Sequence, residues 1–320
     1  MGNTQSGVKI SNDEYRQRPG ISSSDLKKIA KSPAHFRYWK DHPEDNDTPA
    51  LVMGRACHKY MLEKDDFFTE FAVAPNVDRR TKDGKQQWEE FLLSSNGKDV
   101  ISSDDFEVIK EMHKVLYGTP FVAKLLSGEK ETSFFMTDEE TGMEVKCRPD
   151  CRTEIGGQWI CIDYKTTENA DSEEFMKQAI KLMYDLQAAY YKDQLDKITG
   201  EEHLFVFIAQ EKKPPYAVNV LQANDYFLKS GRDMYRTYLN LMAECEKTGD
   251  WYGYMRNEIN VLGLPNWLQK QYEVGLWKDL VWFMTETELE KQYFTDFQTI
   301  TISALLSMRT ERFTKQCVTM

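Results

Sequence analysis

The sequence predicts a mixed α/β fold, a central β-sheet flanked by helices. Three observations predict it. Residues 21–127 carry apolar positions at helical spacing, residues 131–167 hold three strand-like runs, and helical and strand patterns then alternate to about residue 247. Hydrophobic residues make up 41% of the 320 and aromatic residues 12%, enough for a sizeable core in one large domain or two small ones.

The elements follow in order. Residues 1–20 are polar and read as a frayed N-terminal segment. ISSSDLKKIAKSPAHFRYW reads as two short helices, the first capped by Ser23 or Ser24 and the second opened by Ser32-Pro33. DHPEDNDTP is a loop. Residues 50–64 fit a helix with a stripe at Leu51, Gly54, Arg55, His58 and Leu62. The basic stretch PNVDRRTKDGKQQW opens another helix, and residues 104–127 are mostly helical with a break at Gly118-Thr119-Pro120. ETSFFMT, MEVKCRPDCRTE and QWICIDYKT then form an antiparallel meander, joined by DEETG and by Gly156-Gly157. One long helix is expected over residues 172–197, a buried strand in HLFVFIAQ, an edge strand in YAVNVLQ, and a last helix from Asn224 to about Lys247. Beyond residue 257 the chain is rich in Trp, Tyr and Phe. It reads as a C-terminal extension or arm, which divides the chain at 1–20, 21–256 and 257–320. There is no internal repeat and no low-complexity segment.

Composition excludes several classes. A net charge of −11 argues against a protein coated in basic charge, yet leaves a basic groove inside an acidic shell open. No apolar run reaches membrane-spanning length, so no membrane partner is expected, and the N-terminus lacks a secretory apolar region. Gly2 followed by Ser6 matches a myristoylation pattern only formally. None of the six cysteines forms a C-x-x-C pair, so zinc is unsupported. They read as reduced and buried in a cytoplasmic protein.

The chemistry lies in CRPDCRTEIGGQWICIDYKTT. With Gly156-Gly157 as a two-residue loop, Asp150 and Asp163 fall directly opposite one another, Cβ atoms about 5 Å apart. Alternation puts Lys165 on their face and Ile160, Ile162 and Tyr164 on the other. Opposed like charges are destabilising, and a divalent cation between them reverses the sign; carboxylates are what Mg²⁺ prefers. A nearby ammonium can orient an attacking water or stabilise developing phosphorane charge. The plainer alternative is a salt-bridged face on an exposed hairpin.

Further residues point to the same spot. Gln187 and Tyr191 share a helix face, as either ligand contacts or the polar rim of an amphipathic helix. His58 is either a satisfied core histidine or a site residue, with Gly54 one turn earlier leaving room. Arg79, Arg80, Lys82 and Lys85 are either a solvated run or phosphate contacts, as are the amides around Ser23 and Ser24 at a helix start.

Pro149-Asp150, Asp163-Tyr164-Lys165 and the Gln187…Tyr191 pair resemble the PD-(D/E)-x-K nuclease superfamily, in its RecB-like branch. With ISSSDLKKIAKSPAHF, Gly54-Arg55-Ala56-Cys57-His58 and RRTKDGK, the layout over residues 15–267 is similar to the RecE-type (exonuclease VIII) exonucleases of phages and prophages. The resemblance implies a Mg²⁺-dependent exonuclease, with Mn²⁺ as a substitute. It would degrade one strand of linear double-stranded DNA 5′→3′ and leave a 3′ strand for an annealing recombinase. It also implies a ring-shaped homo-oligomer, a tetramer, in the cytoplasm of a bacterial host. Carried over, Asp150, Asp163, the Tyr164 carbonyl and His58 surround metal, Lys165 handles water, and Gln187 and Tyr191 contact the cut strand. Asp163 stands where many relatives have Glu. Ser32-Pro33 replaces the Cys-Pro of iron–sulfur relatives and no C-terminal cysteine triplet follows, so no cluster is expected. A structure-specific or restriction-like endonuclease, a non-catalytic DNA-binding or assembly protein, and a tail acting as an interaction module stay open as alternatives.

Overall fold

The structure is a computed structural model and describes residues 5–42, 48–255 and 259–273. The chain divides into two compact units, Met1–Arg256 and Asn257–Met320. The described part of the N-terminal segment is ordered rather than frayed. It forms β1 (Gln5–Val8) and α1 (Asn12–Gln17), the helix capped by the Ser11 hydroxyl. Its tether is remote in sequence: the buried Lys146 ammonium donates to the carbonyls of Tyr15 at 2.9 Å and Arg18 at 2.5 Å. Local polarity carries no trace of such a contact.

α2 (Ser23–Ile29) is capped by Ser22, not by Ser23 or Ser24. Ser22 N donates to Asp25 Oδ2 at 2.8 Å and Asp25 N to Ser22 Oγ at 3.3 Å, a reciprocal capping box. α3 (Pro33–Asp41) opens on Ser32-Pro33 as expected. α4 (Pro49–Leu62) corrects the expected stripe. It buries Ala56, Cys57, Tyr60, Met61 and Leu62, while Leu51 is 55% exposed and Gly54, Arg55 and His58 line an open cleft. The helix is apolar around much of its girth, so periodicity alone picked the wrong face.

α5 (Phe67–Glu70), β2 (Phe71–Val73), α6 (Lys82–Ser94), β3 (Asp99–Ile101), α7 (Ser103–Gly118) and α8 (Pro120–Leu125) follow. β2 and β3 pair in parallel as a small separate sheet that the sequence reading missed. The break between α7 and α8 falls at Thr119-Pro120, where proline has no N–H to continue the ladder.

Next come β4 (Glu129–Lys130), β5 (Ser133–Thr137), β6 (Glu144–Cys147), β7 (Cys151–Ile155) and β8 (Gln158–Thr167). The expected single meander is split between two sheets. β5 and β6 join β1 in a three-stranded sheet, whereas β7 and β8 belong to a five-stranded one. Arg148-Pro149-Asp150 makes the crossing, because Pro149 removes a ladder donor there. Inside the hairpin the expected register holds, from Cys151 opposite Ile162 to Ile155 opposite Gln158. Gly156 and Gly157 take φ of 63° and 83°, the two positive values a tight hairpin turn needs.

The expected long helix is two, α9 (Ser172–Lys181) and α10 (Tyr184–Thr199), parted at Met183, whose φ is +52°. β9 (His203–Glu211) runs parallel to β8, and β10 (Val218–Gln222) is the antiparallel edge, giving the order β10-β9-β8-β7-β4. α11 (Asp225–Thr248) is capped by Asn224. In the second unit α12 spans Asn266–Glu273; residues 274–320, with Cys317 and most of the proposed arm, lie outside the described residues.

Both faces of the large sheet are covered. Cys161, Phe205, Phe207 and Ala209 pack in one apolar cluster with α2, α3, α10 and α11. Ile160, Ile162, Tyr164, Val206 and Ile208 pack in the other with α4, α7 and α8. Alternation therefore aims Asp163 and Lys165 at the α2–α10 side. The other described cysteines, Cys57, Cys147, Cys151 and Cys245, are buried and form no disulfide, like Cys161. Among the described residues no helix is long and apolar enough to cross a membrane.

The α10–α11 contact is close. A Cβ on Gly231 would meet the Asp185 carbonyl oxygen at 1.9 Å, with backbone on both sides. Gly231→Ala is therefore expected to destabilise the chain by about 2–3 kcal/mol, as overpacking does. The midpoint of urea unfolding measures it; an unchanged midpoint would mean that the helices part freely.

Candidate active site

The site is a notch in the five-stranded sheet. β7 stops at Cys151, so β8 keeps its parallel partner β9 beyond Ile162 but loses its antiparallel one. Asp150, at the bend where β7 begins, fills part of the gap: its Oδ2 accepts the Tyr164 N–H at 2.6 Å. In an extended strand the carbonyl of that residue points to the same side. The Tyr164 carbonyl thus faces the notch, while its ring is fixed below by a 2.7 Å hydrogen bond from its hydroxyl to Gln210 Oε1.

Two layers supply the walls. From α4, His58 Nε2 lies 3.1 Å from Asp150 Oδ2 and Nδ1 lies 3.6 Å from Glu131 Oε1. From α10, Gln187 Nε2 donates to Asp163 Oδ1 at 2.7 Å. Lys165 Nζ pairs with Asp163 Oδ2 at 2.5 Å. From α2, Lys27 Nζ donates to Gln187 Oε1 at 3.2 Å. Asp163 is 1% exposed and Asp150 7%. Such buried carboxylates persist only with compensating charge.

The electrostatics follow. Burial pushes Asp163 up, and so does the Asp150 carboxylate, against the pull of Lys165. Burial would lower Lys165, but Asp163 and Asp150 overcome it and hold it well above the usual lysine range, as an ammonium. Burial works against Asp150 too, yet His58, Lys165 and the Tyr164 amide keep its carboxyl below the ordinary value. Burial favours neutral His58, and Asp150 and Glu131 reverse this, raising it to about 9. Burial raises Glu131 to about 7, with His58 opposing and Asp150 adding to the rise.

Glu131 was not foreseen. In the sequence it is the first residue of the strand-like run ETSFFMT, with nothing to mark it as a site residue. In the structure its φ is +51°, a conformation uncommon outside glycine, and it places the carboxylate inside the site. Arg148 Nε lies 2.7 Å from Glu131 Oε2, and Arg148 was missed as well. Only the tertiary path of the β4–β5 link gives the signal. His58, Glu131 and Asp150 offer ligand atoms that all lie within 4.8 Å of one another. Glu131 Oε1 and Asp163 Oδ2 are buried and make no aligned hydrogen bond. Asp163 lies outside that cluster, its Oδ2 held by the Lys165 ammonium at 2.5 Å; His58, Glu131 and Asp150, one imidazole and two carboxylates, fit a hard divalent cation.

The remaining expected residues fall elsewhere. Tyr191 is 9% exposed and packs in the apolar cluster that α10 shares with α2. Ser24 is exposed, and the Asp25 carboxylate already occupies the N-terminal turn of that helix. Arg79, Arg80, Lys82 and Lys85 are all exposed, at the start of α6, with Arg79 stacked 4.1 Å from the Trp88 ring centre. None of the four lines the open cleft of about 1070 Å³ that reaches His58, Glu131, Arg148 and Asp150.

A five-stranded mixed sheet with an aspartate at a hairpin mouth, an Asp-x-Lys pair on the adjoining strand and a glutamine on the next helix defines the PD-(D/E)XK-type nuclease fold. The chain belongs to the family of PDDEXK-like domains of unknown function (DUF3799), whose model matches residues 22–257. Among solved structures it is similar to one from Eubacterium rectale named "Putative exonuclease". The TM-score is 0.54 at 16% identity, over 81% of this chain and 97% of that one. The structure of SSO0001 overlaps more loosely, at a TM-score of 0.27 and 13% identity over 72% of this chain and 79% of that one. No curated protein matches.

Proposed function

We propose that this chain is a divalent-metal-dependent deoxyribonuclease, an exonuclease that degrades one strand of linear duplex DNA 5′→3′. The observation that carries the reading is the meeting of Asp150, Asp163, Lys165 and Gln187 in one sheet notch, with Asp150 lining a large cleft. The family and the name of the Eubacterium rectale neighbour support a nuclease. The RecE-like order of motifs supports the polarity, the ring-shaped tetramer, a single-strand annealing recombinase as partner, and a phage or prophage origin in a bacterial cytoplasm.

Asp150 and Asp163 would hold Mg²⁺ or Mn²⁺, with the Tyr164 carbonyl, His58 and Glu131 at hand. The bound ion supplies Lewis-acid polarisation of the phosphodiester and a more acidic water. The Lys165 ammonium orients that water and stabilises charge on the phosphorane oxygens. Gln187 fixes the Asp163 carboxylate, and Tyr191 packs α2 against α10 beside the strand being cut.

The test is digestion of linear and covalently closed circular duplex with Mg²⁺, using 5′-phosphate and 5′-hydroxyl ends in parallel. Release of nucleotides from linear DNA alone, beginning at 5′ ends, is expected. Cutting of the closed circle would replace the exonuclease with an endonuclease. Binding without cutting under any divalent metal would leave a DNA-binding or assembly protein.

A further inference from the structure

Lys27 lies in the ISSSDLKKIAKSPAHF stretch, to which the sequence assigned no side-chain role beyond the serine amides, yet it reaches into the site. The capping box between Ser22 and Asp25 sets the register of α2, and buried Leu26 and Ile29 fix its rotation. That rotation turns the neighbouring Lys27 along the sheet notch, where it is half-buried. Its ammonium donates to Gln187 Oε1 at 3.2 Å, and Gln187 passes its own N–H to Asp163 at 2.7 Å. Lys27 Nζ lies 5.0 Å from the Tyr184 ring centre and Lys165 Nζ lies 5.1 Å from the same ring. Two ammonium groups, from a helix and from a strand, therefore flank one aromatic ring.

This pairing is costly in the free protein. Like charges repel, and a partly buried ammonium loses hydration. Lys27 has no carboxylate ion pair among the described residues, and an ammonium has three donors, of which Gln187 takes one. Neighbouring Lys28, on the same helix, is exposed and turned the other way, 5.1 Å from the Trp39 ring centre. The chain as a whole is acidic, so Lys27 is not one of a general excess of cations. An anion sharing the two ammonium groups would relieve the repulsion and fill the spare donors.

We propose that Lys27 is a substrate-binding residue, which with Gln187 holds the phosphodiester next to the one being hydrolysed, while Lys165 serves the scissile one. The proposal deepens the nuclease reading of the same site and rests on it. Lys27 would set the register of the strand, since a phosphate seated there fixes which neighbouring phosphate meets Asp163.

The test compares wild type, Lys27→Ala, Lys27→Arg and Lys28→Ala in two assays. The first is fluorescence-anisotropy binding of linear duplex across a salt series, with no cleavage required. The second is digestion of duplexes carrying one neutral methylphosphonate at each position flanking the first scissile bond. Lys27→Ala is expected to weaken binding about 10- to 100-fold, as loss of a charged hydrogen bond does. It should also reduce the slope of log affinity against log salt by about one. Lys27→Arg should restore most of the binding and Lys28→Ala should change little. One methylphosphonate position should slow wild type but leave Lys27→Ala no slower than on natural DNA. An unchanged salt slope in Lys27→Ala overturns the proposal, as does an equal loss in Lys28→Ala or additive effects of the variant and every methylphosphonate. Wild type that binds but cuts nothing removes the nuclease reading, and the salt slopes still decide on Lys27.

Discussion

Asp163→Asn is expected to abolish Mg²⁺-supported digestion, with a loss of at least about 10³-fold, as removal of several kcal/mol of metal-borne stabilisation requires. The substitution keeps the shape of the side chain and leaves an oxygen to accept the Gln187 N–H, which now stands at 2.7 Å. What it removes is charge. A neutral amide cannot hold a hard cation against water, and the Lys165 ammonium loses its 2.5 Å partner. Lys165 then keeps Asp150 as its one nearby carboxylate, so a modest fall in thermal stability should accompany the loss. Digestion of linear duplex and circular dichroism of the same preparation separate the two effects. A folded variant that still digests at the wild-type rate places the chemistry outside the notch. A variant that fails to fold says only that the ion pair is structural, and Lys165→Met, which removes the ammonium and leaves Asp163 for the metal, then decides. It should fold, bind metal and cut slowly.

The parts of this site that sequence exposes are those set by local geometry. Two glycines between apolar runs fix a hairpin, and the hairpin fixes which side chains oppose, from Cys151 and Ile162 to Ile155 and Gln158; the same spacing singled out Asp150, Asp163 and Lys165 as candidates. The parts it hides depend on contacts distant along the chain. Pro149 reads as part of a motif within one strand run, but it is where the chain leaves one sheet for another and opens the notch. Glu131 reads as the first residue of a strand, because nothing local signals the left-handed turn that aims it inward. The stripe at Gly54, Arg55 and His58 on α4 was legible as a stripe. Its direction was not, since the core face of that helix is chosen by what packs on it. β1 pairs with β5 across more than a hundred residues, and no propensity in a polar leader predicts such a partner.

Metal affinity should rise with pH between about 7 and 9, because the metal-free site holds protons that a cation must displace. His58 ionises at about 9 there, raised above its ordinary value by Asp150 and Glu131 in spite of burial. A liganding imidazole must be neutral, so at pH 7 each binding event at His58 releases about one proton, and affinity gains up to about tenfold per pH unit until His58 is neutral. Glu131, raised to about 7, adds a second contribution at the acidic end of the range. The metal-free protein should show the opposite trend in stability. A histidine raised in the folded state contributes stability that is complete below its unfolded value near 6.5 and is lost as pH climbs through about 9. Thermal midpoints of metal-free protein should thus fall from pH 7 to 9.5, while those at saturating Mn²⁺ should fall less or rise. Calorimetric titration of Mn²⁺ in two buffers of different ionisation enthalpy counts the protons directly. Glu131→Gln should lower affinity about 10- to 100-fold, the cost typical of losing a group that supports a metal, and should reduce the proton count at pH 7. Affinity that is flat with pH, with no proton released, would show that the cation is held by Asp150 and Asp163 without His58 or Glu131. Those two residues would then act on each other across the cleft wall and not on the metal.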